Sequence, residues 1–218
     1  MYAYLVEDDP LVLASLKATL ETRCEVRSFA CAESFLTSLA PSSPGVALID
    51  IGLPGMNGQA LHAQLVASAA PVAVIFLTGR REVLEAVEAM RRGAVDFLCK
   101  PVRRSELLAA FDRAAVALAR LVQTQNCQTK LARLTDRELE VLRRLATGAP
   151  SKCIAHHLGI SARTVEMHRA RISAKLGVPT TAAIALACEA GLIHFTMTAA
   201  GAPPALRDAV TLAQARLR

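Results

Sequence analysis

A parallel α/β domain followed by an all-helical one is the fold class that three features of this 218-residue chain predict. Five short aliphatic runs alternate with helix-period segments over residues 1–120, as a doubly wound five-stranded parallel sheet requires. Residues 121–218 instead read as short helices with legible ends. The excess of positive charge lies wholly in that second part: residues 1–120 hold 12 Lys+Arg and 13 Asp+Glu, residues 121–218 hold 13 and 6.

The five runs are Tyr2–Val6, Cys24–Phe29, Val46–Asp50, Val72–Leu77 and Val95–Cys99. Unbroken apolar runs such as Val72–Leu77 suit central strands covered on both faces, whereas the more polar Cys24–Phe29 suits an edge. Between the runs, apolar residues recur three and four apart, as Val83, Val87 and Met90 do. Asp9 before Pro10 reads as a helix N-cap. Residues 121–130 are polar and free of Pro and Gly, either a linker or an extension of the helix expected over Glu106–Leu121; we take them as a hinge. Beyond it, Thr135-x-x-Glu138 is a capping box and Gly148 a stop. Gly159-Ile160-Ser161 is a tight turn, Gly177 a further stop and Thr180 a further N-cap. The expected organisation is a first domain over 1–120, a linker over 121–130, a helical domain over 131–195 and an extension over 196–218 with no readable role.

At 53% hydrophobic and 20% charged residues, the chain can bury enough surface to fold, which excludes a disordered protein. No apolar stretch approaches the roughly 20 residues of a membrane span, and Met1 leads directly into a strand-like run, so neither a span nor a signal peptide is expected. The six cysteines (24, 31, 99, 127, 153 and 188) form no C-x-x-C pair and fit small buried hydrophobes in a reducing cytoplasm. Cys153, His156 and His157 share one short helix whose other duties explain them, and zinc is not expected there. A near-neutral half joined to a basic half suggests a module that meets a polyanion, the alternative being an ordinary solvated surface.

In an open parallel sheet, ligands sit beyond the carboxyl ends of the strands. Glu7, Asp8 and Asp9 close the first run, Asp50 the third, Thr78 the fourth and Lys100 the fifth. Each alone would pass for a loop residue. Together they bring carboxylates, a hydroxyl and an ammonium to one rim.

In this setting the motifs Val6-Glu7-Asp8-Asp9, Leu48-Ile49-Asp50 with Pro54-x-x-x-Gly58, Phe76-Leu77-Thr78-Gly79 and Gly93-x-x-x-Phe97-x-x-Lys100-Pro101 appear in order. Residues 1–120 thereby resemble the receiver domain of bacterial response regulators, a flavodoxin-like fold. The resemblance implies Asp50 as phosphoacceptor and Glu7, Asp8, Asp50 and the Gly52 backbone carbonyl as ligands of Mg2+. It also implies Thr78 and Lys100 as the groups holding phosphoryl oxygens, with a cis peptide at Lys100-Pro101. Thr78 and Phe97 are implied as switch residues, Phe97 turning inward into space that Thr78 vacates, so that the face around the fifth strand repacks. The chemistry is consistent: a carboxylate attacks phosphorus only if charge on the equatorial oxygens is neutralised by a metal and a fixed cation. Leu53 stands where that family most often has Met, a volume-conserving change.

In the second half, Ile154-Ala155 and Leu158-Gly159-Ile160-Ser161 outline a helix-turn-helix, with Val165, Ile172 and Leu176 as the buried stripe of its second helix. About sixty residues here resemble the LuxR-type output domain, and the pairing with a receiver is that of FixJ/NarL-type regulators. The resemblance implies that Glu166, Met167 and Ala170 read base edges. Lys152, Thr164, His168, Arg171 and Lys175 are implied to meet phosphates of double-stranded DNA. Ser151 replaces the Asn usual before this Lys, as a cap or phosphate ligand. The implied partners are a sensor histidine kinase upstream and RNA polymerase downstream, with a homodimer on phosphorylation, no membrane, and a cytoplasmic location.

Two other classes fit less well. A haloacid-dehalogenase-like phosphatase also uses a strand-end Asp, but needs a second acid two residues later, where Gly52 stands. The chain is therefore not expected to be an enzyme beyond its own phosphorylation and dephosphorylation. A purely protein-binding output module would lack the steep salt dependence that a basic DNA-binding one shows.

Overall fold

The computed structural model describes residues 1–39, 43–79 and 90–193. The chain divides into two compact units, Met1–Val122 and a second beginning at Gln123.

The first unit is a five-stranded parallel sheet of β1 (Tyr2–Val6), β2 (Glu25–Phe29), β3 (Gly45–Asp50), β4 (Val72–Thr78) and β5 (Asp96–Cys99), in the order β2-β1-β3-β4-β5. The order reverses between β1 and β3, which are neighbours, so the Glu7-Asp8-Asp9 segment and Asp50 emerge at the switch point. β3 and β4 are buried along their whole length, as their unbroken aliphatic sequences demand. β2 is the expected edge strand and alternates little, with Glu25, Arg27 and Ser28 exposed.

Helices α1 (Pro10–Leu20), α2 (Ala32–Ser38) and α3 (Gly58–Ala67) follow the first three strands. One sheet face buries Tyr4, Phe35, Ile49, Leu61 and Phe76; the other buries Leu5, Leu16, Leu48, Ile75 and Phe111. Asp9 caps α1 as expected, its Oδ1 accepting from the Leu11 N–H at 2.8 Å. The helical pattern through Val83 and Val87 lies outside the described residues, as does the extension over 196–218.

The expected hinge over 121–130 is helical instead: α4 runs unbroken over Arg104–Leu131. The reason is local. No Pro or Gly interrupts the stretch, and its apolar positions are used at both ends, with Val122 packed on the first unit's core and Cys127 and Leu131 buried in the second's.

The second unit contains α5 (Asp136–Ala146), α6 (Ser151–Leu158), α7 (Ala162–Leu176) and α8 (Thr180–Glu189) around a core of Val141, Leu142, Ile154, Ala155, Val165, Ile172, Ile184 and Ala187. Thr135 and Glu138 form the reciprocal capping box, Glu138 Oε2 accepting from the Thr135 N–H at 2.8 Å. α6 ends on Gly159 in the left-handed conformation (φ 64°), where the Ile160 N–H donates to the Ala155 carbonyl at 3.0 Å. Ser161 then caps α7, accepting from the Thr164 N–H at 3.0 Å. Thr180 is not a cap: Pro179 holds that position, and Thr180, already inside α8, lies with its hydroxyl 3.2 Å from that of Ser173. The cysteines are all free thiols, but of the six expected to be buried just Cys127 is; Cys24, Cys31 and Cys188 are half-buried, and Cys99 and Cys153 are exposed.

Candidate functional site

The rim of the first unit is assembled by strand ends. Leu5 and Leu48 are in register across β1 and β3, so Glu7, Asp8 and Asp50 leave the sheet side by side. One carboxylate oxygen of each lies within 4.8 Å of the others. Glu7 and Asp50 are buried, at 1% and 7% exposure, while Asp8 is open to solvent.

Lys100 reaches this cluster from the end of β5. Its Nζ donates to Glu7 Oε1 at 2.8 Å and lies 2.7 Å from Oε2, which is left without an aligned donor; the Asp50 Oδ2 atom is 3.1 Å away. The Lys100 N–H donates to the Thr78 carbonyl at 2.9 Å, which ties the lysine to β4. The peptide Lys100-Pro101 is cis, as expected. Burial holds the Glu7 carboxyl above the ordinary carboxylate range; the Lys100 hydrogen bond offsets only part of this, and the Asp50 charge adds to it. For Lys100 burial works against the ammonium, but hydrogen bonds to Glu7 and Asp50 outweigh it and leave its pKa raised. Three carboxylates against one ammonium leave the rim short of positive charge. Its hard oxygen donors, one of them unsatisfied, fit a small divalent cation such as Mg2+.

Thr78 is fully buried, its hydroxyl donating to the Gly79 carbonyl at 2.9 Å. Phe97 is half-buried, in register with Phe76 across β4 and β5 and packed on the sheet core. Gly52 is exposed, two residues beyond Asp50. The loop after Asp50 is held tightly: the Ile51 N–H donates to the Leu77 carbonyl at 3.0 Å and the Gly58 N–H to the Ile51 carbonyl at 3.1 Å. A Cβ at Gly58 would lie 2.3 Å from the Asp50 carbonyl oxygen, which explains why glycine closes the Pro54-x-x-x-Gly58 motif. Glu33 of α2 also grips this loop, accepting from the Met56 N–H at 3.1 Å; nothing in the local sequence pointed to it.

In the second unit, α7 buries Val165 and Ile172 and presents Arg163, Glu166, Met167, Ala170 and Arg171 to solvent. Burial of the two aliphatics, worth roughly 1.5–3 kcal/mol each, fixes which face is turned outward. Lys152 is exposed on α6, and the Thr164 hydroxyl lies 2.8 Å from that of Ser161. His168 is half-buried with Nδ1 enclosed and without a hydrogen-bond partner among the described residues. Lys175, expected at a phosphate, donates its Nζ to Oε2 of the buried Glu138 at 2.7 Å, supplying the cation that carboxylate needs. Burial alone would raise the Glu138 pKa, but the Lys175 bond and the Thr135 N–H and hydroxyl lower it on balance. Ser151 follows the Pro150 N-cap, and its hydroxyl donates across to Glu166 Oε1 at 2.6 Å, so it does not cap α6.

Known proteins bear out both halves. Residues 3–112 match the response regulator receiver domain, and residues 132–187 match the bacterial regulatory proteins of the luxR family. The tetrathionate response regulatory protein TtrR of Salmonella typhimurium is 36% identical over 79% of this chain and 84% of its own. The transcriptional regulatory protein FixJ of Bradyrhizobium diazoefficiens is 33% identical over 88% and 97%. Among solved structures, response regulator StyR aligns at a TM-score of 0.59 and 34% identity, covering 85% of this chain and 96% of that one. Full-length FixJ from B. japonicum aligns at 0.51 and 33%, covering 88% and 98%. The chain belongs to the two-domain response regulators of the FixJ type, transcription regulators of two-component systems in which a receiver answering a sensor kinase precedes a LuxR-family DNA-binding domain.

Proposed function

We propose that Asp50 is the residue that accepts a phosphoryl group from the sensor histidine kinase, and that this event governs promoter binding by α6 and α7. One observation carries the reading: Lys100 bridges Glu7 and Asp50 at 2.7 to 3.1 Å, beside the carboxylate of Asp8. Asp50 attacks phosphorus through a carboxylate oxygen as the P–N bond to the kinase imidazole breaks, the bonding pair returning to the ring nitrogen. Lys100 then pairs its ammonium with a phosphoryl oxygen. Glu7, Asp8, Asp50 and the Gly52 carbonyl would hold Mg2+, which supplies neutralisation of phosphoryl charge when bound.

The switch proposed for Thr78 starts from its bond to the Gly79 carbonyl. Rotation of the hydroxyl toward a phosphoryl oxygen exchanges that acceptor and opens room for Phe97, already half-buried on the same core, to turn inward. The repacked face favours a homodimer on phosphorylation, and paired output units match a near-palindromic site.

On the output, Glu166, Met167 and Ala170 are proposed to read base edges, supported by their shared exposed face. Lys152, Thr164, His168, Arg171 and Lys175 are proposed to meet phosphates. Lys175 keeps its bond to Glu138 while doing so, since an ammonium has three donors. RNA polymerase is the proposed downstream partner and the cytoplasm the proposed location; no helix among the described residues is long and apolar enough to cross a membrane.

The test is the Asp50→Ala variant treated with acetyl phosphate and Mg2+. Labelling is expected to fall to background, and labelling as strong as in the unmodified chain would reject Asp50 as acceptor.

A further inference from the structure

Glu166 stands 56% exposed on the α7 face proposed to enter the major groove, where a carboxylate among DNA phosphates would be repelled unless it had a specific donor to meet. Its two oxygens are unequal. Oε1 accepts from the Ser151 hydroxyl at 2.6 Å and lies 3.1 Å from Arg169 Nη1. No described residue donates to Oε2. The two donors come from different directions: Ser151 opens α6, while Arg169 lies one turn further along α7.

Arg169 is itself lodged in structure. It lines a crevice of about 190 Å³ with Gly148, Ala149, Pro150 and Thr180, and its Nε is buried without a partner, so its guanidinium is not a freely sweeping surface cation. A long carboxylate side chain normally loses rotamer freedom when it is fixed in a complex, which weakens binding. Here much of that ordering is already present in the free protein, which is how preorganisation raises discrimination.

Resting on the base-reading role of Glu166, we propose that Ser151 and Arg169 are positioning residues that hold Glu166 Oε1 so that Oε2 accepts from the N4 amino group of a cytosine. An exocyclic amino donor is the shared chemistry of cytosine and adenine in the major groove. Adenine, however, places the N7 lone pair beside its amino group, which repels a carboxylate, whereas cytosine places a C–H there. Arg169 also neutralises the carboxylate locally, which lowers the cost of bringing it between phosphates. Ser151 thus contributes to sequence choice without touching a base.

The experiment is selection of randomised duplexes by the full chain, before and after acetyl phosphate treatment, comparing the unmodified protein with Glu166→Ala, Ser151→Ala, Ser151→Thr and Arg169→Met. The unmodified chain should prefer cytosine at one base pair of each half-site. Glu166→Ala should erase that preference, Ser151→Ala and Arg169→Met should weaken it about 3- to 10-fold, and Ser151→Thr, which keeps the hydroxyl, should restore it. Preferences at other positions and the salt slope should stay unchanged. If Ser151→Ala instead weakens binding evenly across sequences and shallows the salt slope, Ser151 is a phosphate ligand and the positioning role is wrong. The same holds if only Glu166→Ala alters the preference. An adenine preference that depends on Glu166 overturns the cytosine assignment. Lack of any effect from Glu166→Ala rejects the base-reading role beneath it.

Discussion

The receiver rim and the recognition face both gather charged side chains, but they do so by opposite means. The rim is built from four strand ends and is largely buried, with Glu7 and Asp50 under 10% exposed and one ammonium shared between them. The recognition face comes from one helix and its neighbour, stands in solvent, and owes its direction to two buried aliphatics on its far side. In the rim, removal of any one group strands another in a poorly solvated place. On the helix, most groups are independent, and single losses should be small and additive.

That contrast can be broken or sharpened experimentally, and the largest effect belongs to the rim. Lys100→Met should lower the rate of labelling by acetyl phosphate about 100-fold or more, because the fixed cation is lost and Glu7 is left facing Asp50 uncompensated. Labelling within a few-fold of the unmodified rate would mean that the rim is as tolerant as the helix. Next, Gly58→Ala should cost about 1–3 kcal/mol in denaturant unfolding and slow labelling as well, since its Cβ meets the Asp50 carbonyl. A stable variant with normal labelling would show that the loop gives way cheaply.

Glu138 is a buried charge within the output unit and should behave like a rim residue despite its location. Glu138→Gln should destabilise the output unit by about 1–3 kcal/mol at pH 7, as read by thermal unfolding. Its pKa is lowered by folding, so the stabilisation is present above the ordinary value of 4.5 and is lost as pH falls through the lowered one. The gap between the two proteins should therefore narrow in acid; a gap that widens there contradicts the assigned charge state. The smallest effect is expected on the exposed face: Arg171→Ala should weaken DNA binding similarly for all sequences and reduce the salt slope by about one. A sequence-dependent loss would place Arg171 among the base readers.

The rim was legible in the sequence because each of its groups ends a strand, and strand ends can be found from aliphatic runs alone. Asp50, Thr78 and Lys100 needed only that placement. The hydrogen bonds of Glu33 to Met56, Ser151 to Glu166 and Lys175 to Glu138 were not legible, since they join residues 23, 15 and 37 apart whose meeting depends on tertiary packing. Residues 121–130 misled in a different way. Their polarity suggests a linker, but helix propensity and the two anchors Cys127 and Leu131 outweigh it. Cys127 is also a protected thiol: burial, with the Glu189 carboxylate acting in the same direction, pushes its pKa up to about 11. Thr180 looked like a cap because threonine commonly is one, yet Pro179 before it fixes the backbone that begins α8.

The close approach at Gly58 bears on how a signal would leave Asp50, the proposed acceptor. The main chain at Asp50 is boxed in, with the ladder to Leu77 on one side and the first residue of α3 against its carbonyl oxygen on the other. A close-packed contact of that kind does not stretch. Chemistry at the Asp50 side chain therefore has an anvil behind it. In the mechanism proposed above, a group added at Asp50 would find no give behind it in the strand, and the adjustment would fall on the side chains of Thr78 and Phe97.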